Sequence, residues 1–202
     1  ATIDNGTANL DIAASSVGGN LTLTSGNASG ITDSGTVTVG GNLAATTDAN
    51  NGEINLGTLA VDGTVALATN GNGAATVVND AGLNFAASTV GGNLVATATT
   101  GNMTDSGALA ITGTTTLTTS ANNATIALNT TTNAFTGAVT ITTNDDSGNN
   151  AAATIDGGTT TLVTSANNAT IALDTTTNAF TGAVTITTND DSGNNAAATI
   201  DG

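Results

Sequence analysis

The chain has no lysine, arginine, histidine, proline, cysteine, tryptophan or tyrosine, and only three phenylalanines among 202 residues. Each absence removes a class of function. Without Lys or Arg there is no clamp for phosphate, so no nucleic-acid partner is expected. An anionic membrane surface is disfavoured on the same ground. Without His, Lys, Cys or Tyr, nucleophile–base pairs of the Ser–His kind cannot be assembled. Without Cys there are no disulfides to form or lose, which suits an exported chain. No apolar run approaches the roughly 18–20 residues of a spanning helix, so membrane insertion is not expected.

What remains is acidic, small and repetitive. Fourteen Asp and one Glu give a formal net charge of −15 with no cation to offset it. Hydrophobic residues make up 38%, many of them Ala and Val. Side chains of that size cannot fill a wide core, but they can fill a gap of about 10 Å between facing sheets. Abundant Thr, Asn, Gly and Ser also fit a disordered chain. Against disorder, mean hydropathy is positive and the apolar residues alternate in register from copy to copy.

Residues 113–157 return as 158–202, an offset of 45, with only Thr118 changed to Val163 and Asn129 to Asp174. A shorter motif runs through the whole chain: an apolar residue, a Gly-containing pair, then an alternating strand. It begins at Val17, Val39, Val61, Val90, Ile111, Phe135, Ile155 and Phe180, and a cut-off copy begins at Ile200. The mean spacing is about 23 residues, and the 29-residue step from Val61 to Val90 implies an insertion near 70–79. Fixed periods of this length mark stacked, quasi-one-dimensional folds.

The strands are legible by period two: Leu21-Thr22-Leu23-Thr24, Thr36-Val37-Thr38-Val39, Ala138-Val139-Thr140-Ile141. Gly18-Gly19-Asn20, Gly40-Gly41-Asn42, Gly91-Gly92-Asn93 and Asn122-Asn123 read as corners, because Gly and Asn tolerate positive φ. Stacked Asn amides are expected at corners such as Asn20. Aligned copies define three ladders: Val17, Val39, Val61, Val90, Ile111, Phe135, Ile155, Phe180; Leu23, Ala45, Leu67, Ala96, Leu117, Ile141, Leu162, Ile186; and Ile31, Ile54, Met103, Ile126, Ile171. The expectation is an all-β, right-handed parallel β-solenoid, about 20–25 residues per coil and about nine coils. Its parts are irregular coils over 1–112 and tandem copies at 113–157 and 158–202, one continuous solenoid excerpted from a longer chain. An antiparallel sandwich ranks second, since its strands need not stack like on like.

VGGNLTLT followed by ITDSGTVTVGGNL (31–43), with the weaker copy MTDSGALAITG (103–113), resembles the repeats of filamentous-haemagglutinin-like adhesins. That resemblance implies a large exported bacterial β-helix protein of the two-partner-secretion or autotransporter type. It further implies a cell-surface or secreted filament used in adhesion or matrix formation.

Chemistry-bearing constellations are few. Asp145-Asp146 and Asp190-Asp191 are the only adjacent carboxylates, and their recurrence in both tandem copies suits structure better than an active centre. No enzyme activity is expected. The surrounding loops, with Asn144, Asp145, Asp146 and Asn149, and Asn189, Asp190, Asp191 and Asn194, offer the oxygens a hard cation such as Ca²⁺ prefers. A solvated corner accounts for the same residues. No cofactor is required by the sequence; Ca²⁺ is the candidate. TxT strands at Thr22/Thr24, Thr36/Thr38, Thr114/Thr116/Thr118 and Thr140/Thr142 resemble ice-binding faces of solenoid antifreeze proteins, though Leu and Ala interrupt the pattern on several coils, as at Ala44-Ala45 and Val95-Ala96. The resulting expectation is a structural or adhesive extracellular shaft whose partners are further copies of itself and a host or neighbouring cell surface. The alternative is a ligand-binding solenoid surface for ice or Ca²⁺.

Overall fold

The computed structural model describes residues 1–144 throughout and, beyond them, the strands Ala152–Ile155, Thr161–Asn167, Thr170–Leu173, Thr185–Asn189 and Ala198–Ile200. Every strand pairing among the described residues is parallel, and no helix occurs there. The antiparallel alternative is thereby set aside, and the chain is a parallel β-solenoid.

Two broad faces carry the coils. Up to residue 144 the first face stacks Thr2–Asp4, Leu21–Ser25, Leu43–Asn50, Thr64–Asn70, Leu83–Phe85, Met103–Asp105 and Ile126–Leu128. The second stacks Leu10–Ile12, Ile31–Asp33, Ile54–Val61, Ala75–Asn79, Leu94–Ala98, Thr115–Asn122 and Val139–Asn144. The result is about seven turns of about 21 residues, fewer than the nine expected. The larger number ran the motif through the whole chain; among the described residues the second-face pairing runs to Val139–Asn144, and Thr161–Asn167 pairs with Thr185–Asn189 as a separate sheet. At about 4.8 Å per rung, seven rungs extend about 34 Å.

The core follows from the alternation. In Leu21–Ser25 the residues Leu21, Leu23 and Ser25 point inward and the two threonines outward. Stacked rows such as Leu23–Ala45–Leu67 and Ala96–Leu117–Ile141 fill the interior, nearly all at 0–1% exposure. Each fully buried Leu or Ile of this kind contributes roughly 1.5–3 kcal/mol. Where the longer strands end, an inward hydroxyl closes the corner. Thr47 donates to the Gly52 carbonyl at 2.9 Å, Thr69 to that of Gly73 at 2.7 Å, and Thr119 to that of Ala124 at 3.3 Å. Asn51 and Asn123 turn the chain there with φ of 61° and 63°, as expected for corner asparagines.

The glycines of the Gly-Gly-Asn corners have a different reason from the expected one. None of Gly18, Gly19, Gly40, Gly41, Gly91 or Gly92 has positive φ. At Gly40, Gly41, Gly91 and Gly92 glycine is needed because successive coils touch at the corner, whereas Gly18 and Gly19 have open space beside them. A Cβ on Gly41 would lie 2.4 Å from Asn20 Oδ1, and one on Gly63 would lie 2.4 Å from Asn42 Oδ1.

The 29-residue step holds a change of face. Its extra residues form the strand Ala75–Asn79, which stacks on Ile54–Val61 of the second face. That strand supplies an additional half turn. Copies of the motif before it lay their long strand on the first face, and copies after it on the second. Each expected ladder therefore breaks in two. Val17–Val39–Val61 stacks on one side and Val90–Ile111–Phe135 on the other. Ile155 pairs with Leu128 rather than Phe135, and Ala153 stands between Ile126 and Ile171. Phe180 lies outside the described residues.

Two buried polar side chains make the change of face possible. The straight strand Ala75–Asn79 is too short to cover the bent Ile54–Val61. The Asn79 amide takes the place of a missing peptide group: it accepts from Val61 N at 2.8 Å and donates to the Val61 and Gly82 carbonyls at 3.0 and 2.7 Å. On the first face, Thr64–Asn70 is covered by two short strands, Leu83–Phe85 and Ser88–Val90, with a bend between them. Leu67 N–H, facing that bend, donates to Ser88 Oγ at 3.0 Å, and Ser88 donates on to the Ala86 carbonyl at 2.8 Å.

Candidate functional site

The candidate Ca²⁺ residues divide. Asp145, Asp146, Asn149, Asp190, Asp191 and Asn194 lie outside the described residues. Asn144 ends the strand Val139–Asn144, in register with Asn122. Its amide donates to the Ser120 carbonyl at 3.1 Å and to Asn122 Oδ1 at 2.8 Å, tying one coil to the next. Asn189 ends Thr185–Asn189 in register with Asn167, the same pairing one tandem copy later.

Elsewhere the carboxylates serve the backbone. Asp33 accepts from Gly57 N at 2.9 Å, Thr58 N at 2.8 Å and the Thr58 hydroxyl at 2.9 Å. Asp105, in the second copy of the Thr-Asp-Ser-Gly phrase, accepts from Asn129 N at 3.0 Å, Thr130 N at 3.3 Å and Asn133 Nδ2 at 2.6 Å. Asn133 in turn accepts from Leu109 N at 2.8 Å. Both aspartates cap the bend of the following coil, and hydrogen bonds of this charge-assisted kind are the stronger ones. The following glycine clears the way, since a Cβ on Gly35 or Gly107 would meet Ala14 N at 2.7 Å or Ala87 N at 2.4 Å. This capping role was not read from sequence, although an Asp held at one place in a repeated phrase was the available signal.

The corner asparagines link coil to coil, but by side chain to backbone rather than by the amide-on-amide stacking expected. Asn20 Oδ1 accepts from Asn42 N at 2.9 Å, Asn42 Oδ1 from Thr64 N at 3.0 Å, and Asn93 Oδ1 from Thr114 N at 2.9 Å. Among the described residues no three acidic side chains come together to hold a metal ion.

Two surface features remain. A shallow hollow of about 300 Å³ opens beside the change of face, between Asp62-Gly63, Gly82, Asn84, Asn102 and Thr104. It offers one carboxylate, with no nucleophile, base or cation to work with it. The second feature is the outer side of the second face. There the outward residues of four consecutive rungs are Thr76 and Val78, Val95 and Thr97, Thr116 and Thr118, Thr140 and Thr142, in unbroken register. The residues between them in sequence, Val77, Ala96, Leu117 and Ile141, point inward, while Val78 and Val95 stand within the threonine rows.

Fold and surface together define a repeat protein of the parallel β-solenoid class, its corners held by Asn and Asp side chains. More particularly, the chain belongs to the family of repeats of unknown function DUF5649, whose model matches residues 1–56 and 72–142. The second matched stretch begins just before the extra strand Ala75–Asn79. No curated protein and no solved structure matches the chain.

Proposed function

We propose that this segment is a structural shaft of an extracellular filament or large adhesin, providing reach and stiffness rather than chemistry. The observation that carries this reading is the parallel stacking of coil on coil, with polar side chains holding the corners together. Asp33, Asp105, Asn20, Asn42 and Asn93 all bond to the next coil's backbone. Coils that contact only their neighbours add length at nearly constant stability per coil. The likeness of VGGNLTLT and ITDSG to filamentous-haemagglutinin repeats supports a place at the cell surface, with further copies or a facing cell as partner. No catalysis is proposed. The 144–150 and 189–195 loops are proposed as Ca²⁺ loops of that shaft.

Electron microscopy of concatenated segments tests the reading. Contour length should rise linearly with copy number, by about 4.8 Å per coil. Compact particles that do not lengthen, or turnover of a polysaccharide substrate, would overturn it.

A further inference from the structure

We infer that the Thr/Val rows of the second face are a lateral self-association surface whose occupant is the same face of a second copy. The argument begins with charge. A chain of −15 with no Lys, Arg or His cannot form an ion pair between side chains of two copies, so copies repel wherever their carboxylates meet. Three of the seven first-face strands contain a carboxylate, at Asp4, Asp48 and Asp105. Carboxylates also mark the early rungs of the second, at Asp11 and Asp33. From Ile54–Val61 to Val139–Asn144 the strands of the second face contain none, the described carboxylates there lying only at strand ends, at Glu53, Asp62 and Asp80. This stretch is where two copies approach with least repulsion.

Shape points the same way. The outward side chains are all β-branched and of nearly one size, and Val95 is 39% exposed, one of two exposed large hydrophobics among the described residues, the other being Ile3 at the start of the first face. Sheet faces of this texture pack on one another at about 10 Å. Four rungs of five residues present about 300 Å², well short of the roughly 800 Å² per partner of a stable complex. Association of one segment is therefore weak and concentration-dependent, and it strengthens as rungs are added.

Sedimentation velocity over a concentration series, with the full chain, tests the inference. Raising NaCl from about 20 mM to about 0.5 M shortens the screening length from roughly 20 Å to about 4 Å, so association should strengthen with salt. Thr97→Asp with Thr118→Asp should weaken association at least tenfold, while Ala66→Asp on the first face should not. Should the double variant fail to melt cooperatively, a single-cysteine pair decides: Val95→Cys should crosslink between copies and Thr24→Cys should not. A strictly monomeric chain at all salts, or equal crosslinking from both faces, would overturn the inference. So would a monomer that slows ice-crystal growth, which would assign the rows to ordered water instead.

Discussion

At the scale of single residues, small polar side chains do the work that hydrophobic bulk does in a wider core. Asn79 is the clearest case, 1% exposed and bonded to both backbone groups of Val61. Asn79→Ala would leave those groups buried and unpaired at about 1–3 kcal/mol each, a loss readable in urea unfolding. Thr115 is the opposite case: its hydroxyl is fully buried and has no hydrogen-bond partner. Thr115→Val keeps the shape and removes the unpaired group, so the urea midpoint should rise, by the equivalent of about 1 kcal/mol. Among glycines, Gly63→Ala drives a Cβ to within 2.4 Å of Asn42 Oδ1 and 2.5 Å of the Gly41 carbonyl. It should destabilise by about 1–3 kcal/mol. Gly57→Ala, whose Cβ would meet only Asp33 Oδ1 at 3.9 Å, should stay within about 0.5 kcal/mol. Equal effects at the two positions would refute the close-approach account.

At the scale of elements, the half turn is the working unit. A straight strand and a bent pair of short strands bury similar rows, and either stacks on the other when Asn79 or Ser88 closes the gap. Deleting residues 74–80 turns the 29-residue step from Val61 to Val90 into one of 22. Leu83–Phe85 and Ser88–Val90 should then stack on Ile54–Val61, rejoining the Val61 and Val90 ladders. The expected outcome is a shorter chain with parallel-β circular dichroism and a cooperative melt. A chain that loses its melt would mean that the half turn is indispensable.

At the scale of the whole molecule, charge of one sign is the main liability. With −15 and no cation, self-repulsion opposes the compact state. Added NaCl should raise the melting temperature through screening. Ca²⁺ at matched ionic strength should raise it further, with that increment lost in Asp145→Asn with Asp146→Asn and the corresponding changes at Asp190 and Asp191. An identical response to the two salts would remove the Ca²⁺ proposal and leave the shaft reading intact.

The sequence by itself determined the parallel coil, its approximate length and which residues face inward. Alternation such as Leu21-Thr22-Leu23 reports inside and outside wherever the strand lies, and a fixed spacing reports stacking. It also located the irregular step near 70–79. Tertiary structure alone decided which face each copy occupies. The two halves of a coil are near equivalents in length and burial, so a half turn costs no hydrophobic pattern, and the 29-residue step marks where it lies without telling which face follows. The same limit hid the capping aspartates: Asp33 meets Gly57 and Thr58, 24 and 25 residues later, and that contact exists only because coils stack at one strand spacing.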